Sequence, residues 1–177
     1  MKKEMFLKSE IFSSFIIVLG SIFLLSSLWN YSNFSTCYKL FFGIYGLTEI
    51  LKYFVRNKSG DYTNAFGFFI CSILLILSFT LPMTSKTNIS ILFIVFLTVL
   101  SLTRLKRADY FHDRKNKLWM VEIFLLIIYV ISGILTSIQF SNPPKTQILI
   151  LGYFTLICGI IEVSESLILY VTKGKLK

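Results

Sequence analysis

Glu49, Arg104 and Glu162 are ionisable residues set inside runs of Ile, Leu and Phe, and Glu165 follows one turn after Glu162. Such groups in apolar segments do one of two kinds of work. They can hold and pass protons or ions, because an intramembrane carboxylate needs a partner, a proton or water. Alternatively they act as glue, fixing the register of neighbouring helices at some cost in stability. Residue types alone leave both readings open. Glu122 and Lys52 lie near enough along their segments to be secondary members of the same group.

Other chemistry finds little support. The stretch DYFHDRK holds Asp109, the single histidine His112 and Asp113. Three adjacent groups in a polar loop read as a solvated connection rather than a metal site. Cys37, Cys71 and Cys158 are odd in number and have no metal-ligand spacing, so they read as small packing residues. There is no Gly-rich phosphate loop, no Ser–His–Asp set and no zinc motif. The expectation is a protein that is not an enzyme and uses no cofactor and no metal.

The elements that must position these charges are long and apolar. The chain has 177 residues, 55% hydrophobic and 15% charged, with a mean hydropathy of +0.73. A soluble domain usually has about 25% charged residues. Six runs, about 11–30, 37–55, 63–82, 89–107, 118–140 and 147–171, approach the length of a membrane span. A helix needs roughly 20 mostly apolar residues to cross the hydrocarbon. The runs do not alternate, as barrel strands would. The expected fold is an all-α integral membrane protein, with six transmembrane helices as three tandem hairpins in one bundle. Residues 1–177 then form a single polytopic domain, with repeats at about 11–55, 63–107 and 118–171.

The net charge of +9 follows the expected topology. Lys2, Lys3, Lys8, Lys52, Arg56, Lys58, Arg104, Lys106, Arg107, Arg114, Lys115, Lys117, Lys173, Lys175 and Lys177 would fall on one side; Lys39, Lys86 and Lys145 would fall on the other. Positive residues in short loops stay cytoplasmic. Both termini are therefore expected in the cytoplasm, with the basic side facing anionic lipid headgroups. No aromatic-basic module suggests nucleic acid. A second copy or another membrane protein remains as a class of partner.

The chain also matches itself. A shift of 113 residues lays Gly20 on Gly133, Phe41 on Phe154, Gly46 on Gly159 and Glu49 on Glu162. In the middle third, SLTR (101–104) resembles GLTE (46–49). Each hairpin thus returns with a small residue three positions before a charge. Glu49, Arg104 and Glu162 would sit at similar depth, at about 1.5 Å of rise per residue from the outer turn. Gly20, Gly46, Gly133 and Gly159 would let neighbouring helices approach closely. In the last span, two central glutamates would cost roughly 5–7 kcal/mol on insertion scales, against roughly 6 kcal/mol returned by its Leu, Ile, Phe and Val residues. The acids must be relieved, and Arg104 is the expected partner of Glu162, because guanidinium forks onto carboxylate.

These stretches resemble the HdeD-type membrane proteins. The resemblance rests on IVLGSIFLL (17–25), VISGILTSI (130–138), ILGYFTLICGIIEVSESLIL (150–169) and DRKNKLWMVEI (113–123). It covers nearly the whole chain. The middle hairpin departs from the pattern, with Arg104 at the acidic position and Cys71 and Ser101 in place of glycines. The resemblance implies an integral cytoplasmic-membrane protein linked to acid-stress resistance in some bacteria, with no enzymatic activity. A small transporter or proton-conducting protein, or an accessory subunit of a membrane complex, is the alternative.

Overall fold

Long apolar runs without a central proline can satisfy every backbone group only by coiling into helices. The structure is a computed structural model that describes residues 2–26, 34–56, 62–82, 86–113, 115–138 and 144–172. Among them it holds six α-helices and no strand: α1 (Lys2–Ser26), α2 (Phe34–Arg56), α3 (Tyr62–Thr80), α4 (Lys86–Asp113), α5 (Leu118–Ile138) and α6 (Pro144–Thr172). Of the outer turns expected near 31–36, 83–88 and 141–146, the first half of each lies outside the described residues and the second half opens α2, α4 and α6; Lys58, Arg114 and the lysines after 172 also lie outside them.

Local chemistry sets the helix ends. Pro82 comes just after α3, where no ladder donor is needed. Its carbonyl accepts a hydrogen bond from Asn88 Nδ2 at 2.8 Å. Pro144 opens α6, where its missing N–H has no role. Between α4 and α5, Lys115 adopts φ 54°. Its N–H donates to His112 O at 2.9 Å, and Asn116 N–H donates to Phe111 O at 3.0 Å, closing α4 with a Schellman motif. Asn116 Oδ1 then accepts from Leu118 N–H at 3.2 Å and starts α5.

Three helices are long and apolar enough to cross a membrane, over Thr87–Asp113, Leu118–Leu135 and Leu149–Ile168. Two shorter apolar helices run over Ile11–Ser26 and Ala65–Thr80. The fold is therefore all-helical and compatible with a membrane protein, with three such helices against the six spans expected. The remaining helix, α2, is interrupted by Lys39, Glu49 and Lys52.

Packing follows a cyclic order. The most extensive contacts join α2 to α3, α4 to α5, and α6 to α1. Each even-numbered helix thus lies along the odd-numbered helix that follows it, and α6 closes the cycle on α1. Helices α1 and α2 also pack together, and α3 meets α4 less extensively. Helices α5 and α6 lie less closely against each other among the described residues.

The even helices share an aromatic centre. Phe96 of α4 meets Phe42 and Tyr45 of α2 edge-on, with ring centroids 5.1 and 5.0 Å apart, and Phe41 at 5.8 Å. Phe93 meets Phe154 of α6 at 5.5 Å. Tyr38 of α2 donates to the carbonyl of Ile89 at 2.9 Å. The outer faces are apolar and open; on α5, Phe124 is 63% exposed. In a bilayer such faces meet lipid.

Small residues set the closest helix approaches. A Cβ added at Gly46 would lie 3.3 Å from Leu75 N on α3, and one at Gly159 would lie 3.0 Å from Val18 N on α1. At Gly20 and Gly133 the neighbours are side chains, the Phe41 ring and Leu97. Gly159→Leu should therefore push α1 and α6 apart, losing about 1–3 kcal/mol, as overpacking does. Thermal unfolding of the purified protein in detergent checks this. An unchanged midpoint would show that the two backbones have room to spare.

Candidate functional site

On α4, the buried stripe reads Phe93, Leu97, Leu100, Arg104, Arg107, with alternating steps of four and three. The two arginines therefore extend the apolar face rather than leave it. Helix α6 does the same with Leu151, Thr155, Cys158, Glu162 and Glu165. On α5, Glu122 and Tyr129 stand two turns apart. Residues three and four apart share one helix face, so these stripes carry charges of opposite sign towards one another.

Arg104 is 0% exposed and lies at the centre. Its Nη1 donates to Glu122 Oε2 at 2.8 Å and also to Glu165 Oε2. Its Nη2 donates to the Tyr129 hydroxyl at 3.2 Å, and its Cζ lies 5.1 Å from the Tyr129 ring centroid. Its Nε faces Glu162 Oε1 at 2.9 Å. That contact is an ion pair by distance, but it is out of line for a hydrogen bond. Arg107 Nη1 reaches Glu162 Oε2 at 2.9 Å and Glu165 Oε2 at 3.2 Å. Glu162 therefore bridges both guanidiniums. Tyr129 donates onward to the Cys158 carbonyl at 3.5 Å, tying α5 to α6.

A second ion centre forms on α2. Glu49 pairs with Lys52 one turn later at 2.7 Å, and Ser13 of α1 donates to Glu49 Oε1 at 2.5 Å. Adjacent Ser14 turns to the other centre, where its Oγ lies 3.3 Å from Ser166 Oγ. Arg107 Nη2 also contacts Ser166, at 3.4 Å. Two neighbouring hydroxyls on α1 thus touch both centres.

Of the residues singled out in the sequence, Arg104 and Glu162 come together, and Glu122 and Glu165 join them. Glu49 and Lys52 pair with each other, and no described contact joins Glu49 to Arg104. Sequence reasoning missed Arg107, Tyr129, Ser13, Ser14 and Ser166. Arg107 carries a readable signal, its place on the four-three stripe of α4, but a basic residue there reads equally well as a topology marker. The serines and the tyrosine carried none.

The arrangement holds opposite charges in contact inside the bundle. Each buried carboxylate faces a cation. The described residues include no three His, Cys, Asp or Glu placed to hold a metal ion. His112 lies edge-on to the Trp119 ring at 5.5 Å, at the end of α4. No protein-family model, no curated protein and no solved structure matches this chain.

Proposed function

We propose that the chain is a multi-pass protein of the bacterial cytoplasmic membrane. All six helices span, as three tandem hairpins, with both termini in the cytoplasm. Its role is resistance to acid or related stress, without enzymatic chemistry, as the resemblance to HdeD-type proteins suggests. Its partners are anionic lipids at the inner face and a second copy or another membrane protein.

The observation that supports this reading is the ion network between apolar helices. Charges are rare in membrane helices, and those present usually face a bundle interior and mark a functional place. Five ionisable side chains from three helices meet there. A second reading, a small proton- or ion-conducting protein, draws on the run of polar groups from Glu165 through Ser166 and Ser14 to α1.

Survival of a deletion strain under acid challenge tests the proposal. The strain is complemented with wild type, with Glu49→Gln plus Glu162→Gln, or with nothing, at membrane levels matched by immunoblot. Wild type should restore survival and the double variant should not. Rescue by both would make the two carboxylates dispensable for that role. Failure of wild type would remove the stress reading.

A further inference from the structure

The ion network is not balanced. Among the described residues, Glu122, Glu162 and Glu165 face two cations, Arg104 and Arg107. The shortfall is concentrated at one atom. Arg104 Nη1 serves both Glu122 Oε2 and Glu165 Oε2. Two carboxylate oxygens on the same nitrogen lie within about 6 Å of each other, twice a hydrogen-bond length, near enough for their charges to repel. Glu162 has two guanidiniums, and Glu165 has Arg107 as well as its share of Arg104. Glu122 has only its share of Arg104.

Among the described side chains, no cation besides Arg104 and Arg107 contacts these three acids. Helix α1 brings the Ser14 hydroxyl to Ser166. Helix α5 adds the Tyr129 hydroxyl, which is turned to Arg104 and to the Cys158 carbonyl. On α2, Lys52 is engaged with Glu49. Helix α3 has no charged residue in its sequence. Glu162 Oε1 is buried and accepts no aligned hydrogen bond, so the network also holds a spare acceptor.

We propose that Arg104, Arg107, Glu122, Glu162 and Glu165 form a proton-binding site that takes up one proton, carried by Glu122 or Glu165 beside Arg104 Nη1. The proton comes from water. One O–H bond forms on a carboxylate oxygen, no covalent bond breaks, and the network becomes neutral. Like charges forced together are relieved in this way, as in carboxylate pairs that share a site. Protonation also turns one of two competing acceptors into a donor, so both side chains can stay beside the same guanidinium. Entry is past Glu165, whose side chain is 21% exposed and is the most open of the five. The oxygens already sit in direct contact with guanidinium nitrogens, which favours a proton over a larger metal cation with its own coordination shell. This inference rests on the membrane reading and not on the stress role.

The test uses the full chain purified into lipid vesicles. Infrared difference spectra are recorded between mildly alkaline and mildly acidic buffer, with and without sodium or potassium. Wild type should show the carbonyl stretch of a protonated carboxylic acid, changing with pH. That band should be lost or shifted in Glu122→Gln and kept in Glu49→Gln. The glutamine keeps the shape of Glu122 and removes the surplus charge, so the bundle should still fold. Absence of any such band in wild type overturns the proposal whatever the variants do. A band untouched by both Glu122→Gln and Glu165→Gln also overturns it. So does a band that sodium or potassium removes at constant pH, because a metal cation would then be the occupant. None of these outcomes depends on whether the protein supports acid survival.

Discussion

Arg104→Leu is expected to remove most of the folded protein from detergent extracts. The leucine keeps much of the apolar bulk but leaves Glu122, Glu162 and Glu165 with Arg107 alone. Removing one partner of a buried ion pair costs about 3–5 kcal/mol, because the remaining charge stays buried without compensation. Whole domains are stable by only about 5–15 kcal/mol. The substitution therefore consumes a large share of the total. Size-exclusion profiles and thermal unfolding measure it, and a monodisperse variant with the wild-type midpoint would refute it. Arg104→Lys should fall between, because a single ammonium cannot place nitrogens towards Glu162, Glu122 and Tyr129 at once. A double-mutant cycle with Glu162→Gln separates the pair from general disruption: the second change should cost much less once Arg104 is gone.

Phe96→Ala is expected to have the next largest effect, about 3 kcal/mol, at the low end of the range for buried Phe→Ala changes. Phe96 is fully buried and its ring meets Phe41, Phe42 and Tyr45 across the α2–α4 contact. In water the loss would combine a transfer term with a cavity term. Within a bilayer the transfer term shrinks, because lipid tails are as apolar as the bundle interior. What remains is lost packing against aromatic edges and the void left behind. Phe96→Leu should recover most of the loss by filling that void. Urea or SDS unfolding of reconstituted protein reads the difference. Equal midpoints for alanine and wild type would show that α2 and α4 close up around the smaller side chain.

How much of this was readable in the sequence differs by level. Helix existence was plain, since the apolar runs are long and have prolines only near their ends. The polar stretch 107–117, with Asp109, His112 and Asp113, reads as a loop, but α4 continues through Asp113 and the turn is confined to its end at Lys115 and Asn116. The pairing of Arg104 with Glu162 was also accessible, because both depth and charge sign pointed to it. The place of Glu49 was not. Depth follows from counting residues along a helix, but the direction a side chain faces depends on which helices are neighbours. Glu49 lies beside α1, where Ser13 meets it, and Lys52 is one turn away on its own helix. Glu122 and Glu165 reach Arg104 because α4 lies along α5 and its side chains extend to α6. Arg107 was hidden by a competing signal: a basic residue at the end of an apolar run reads equally well as a topology marker.

The closing of α6 on α1 bears on how the protein is made. The ribosome makes α1 before α6, so α1 waits for its most extensive contact until the helices between them have been made. During that wait Ser13, Ser14 and Ser21 of α1, all buried in the finished bundle, must be shielded by lipid, by an insertion factor or by α2. Arg104 and Arg107 likewise precede Glu162 and Glu165, the acids they will meet. A chain that stops short of α6 lacks both the α1–α6 seam and the main counter-charges of Arg104 and Arg107. Truncated products of this protein should be targets for membrane proteases rather than partly working bundles.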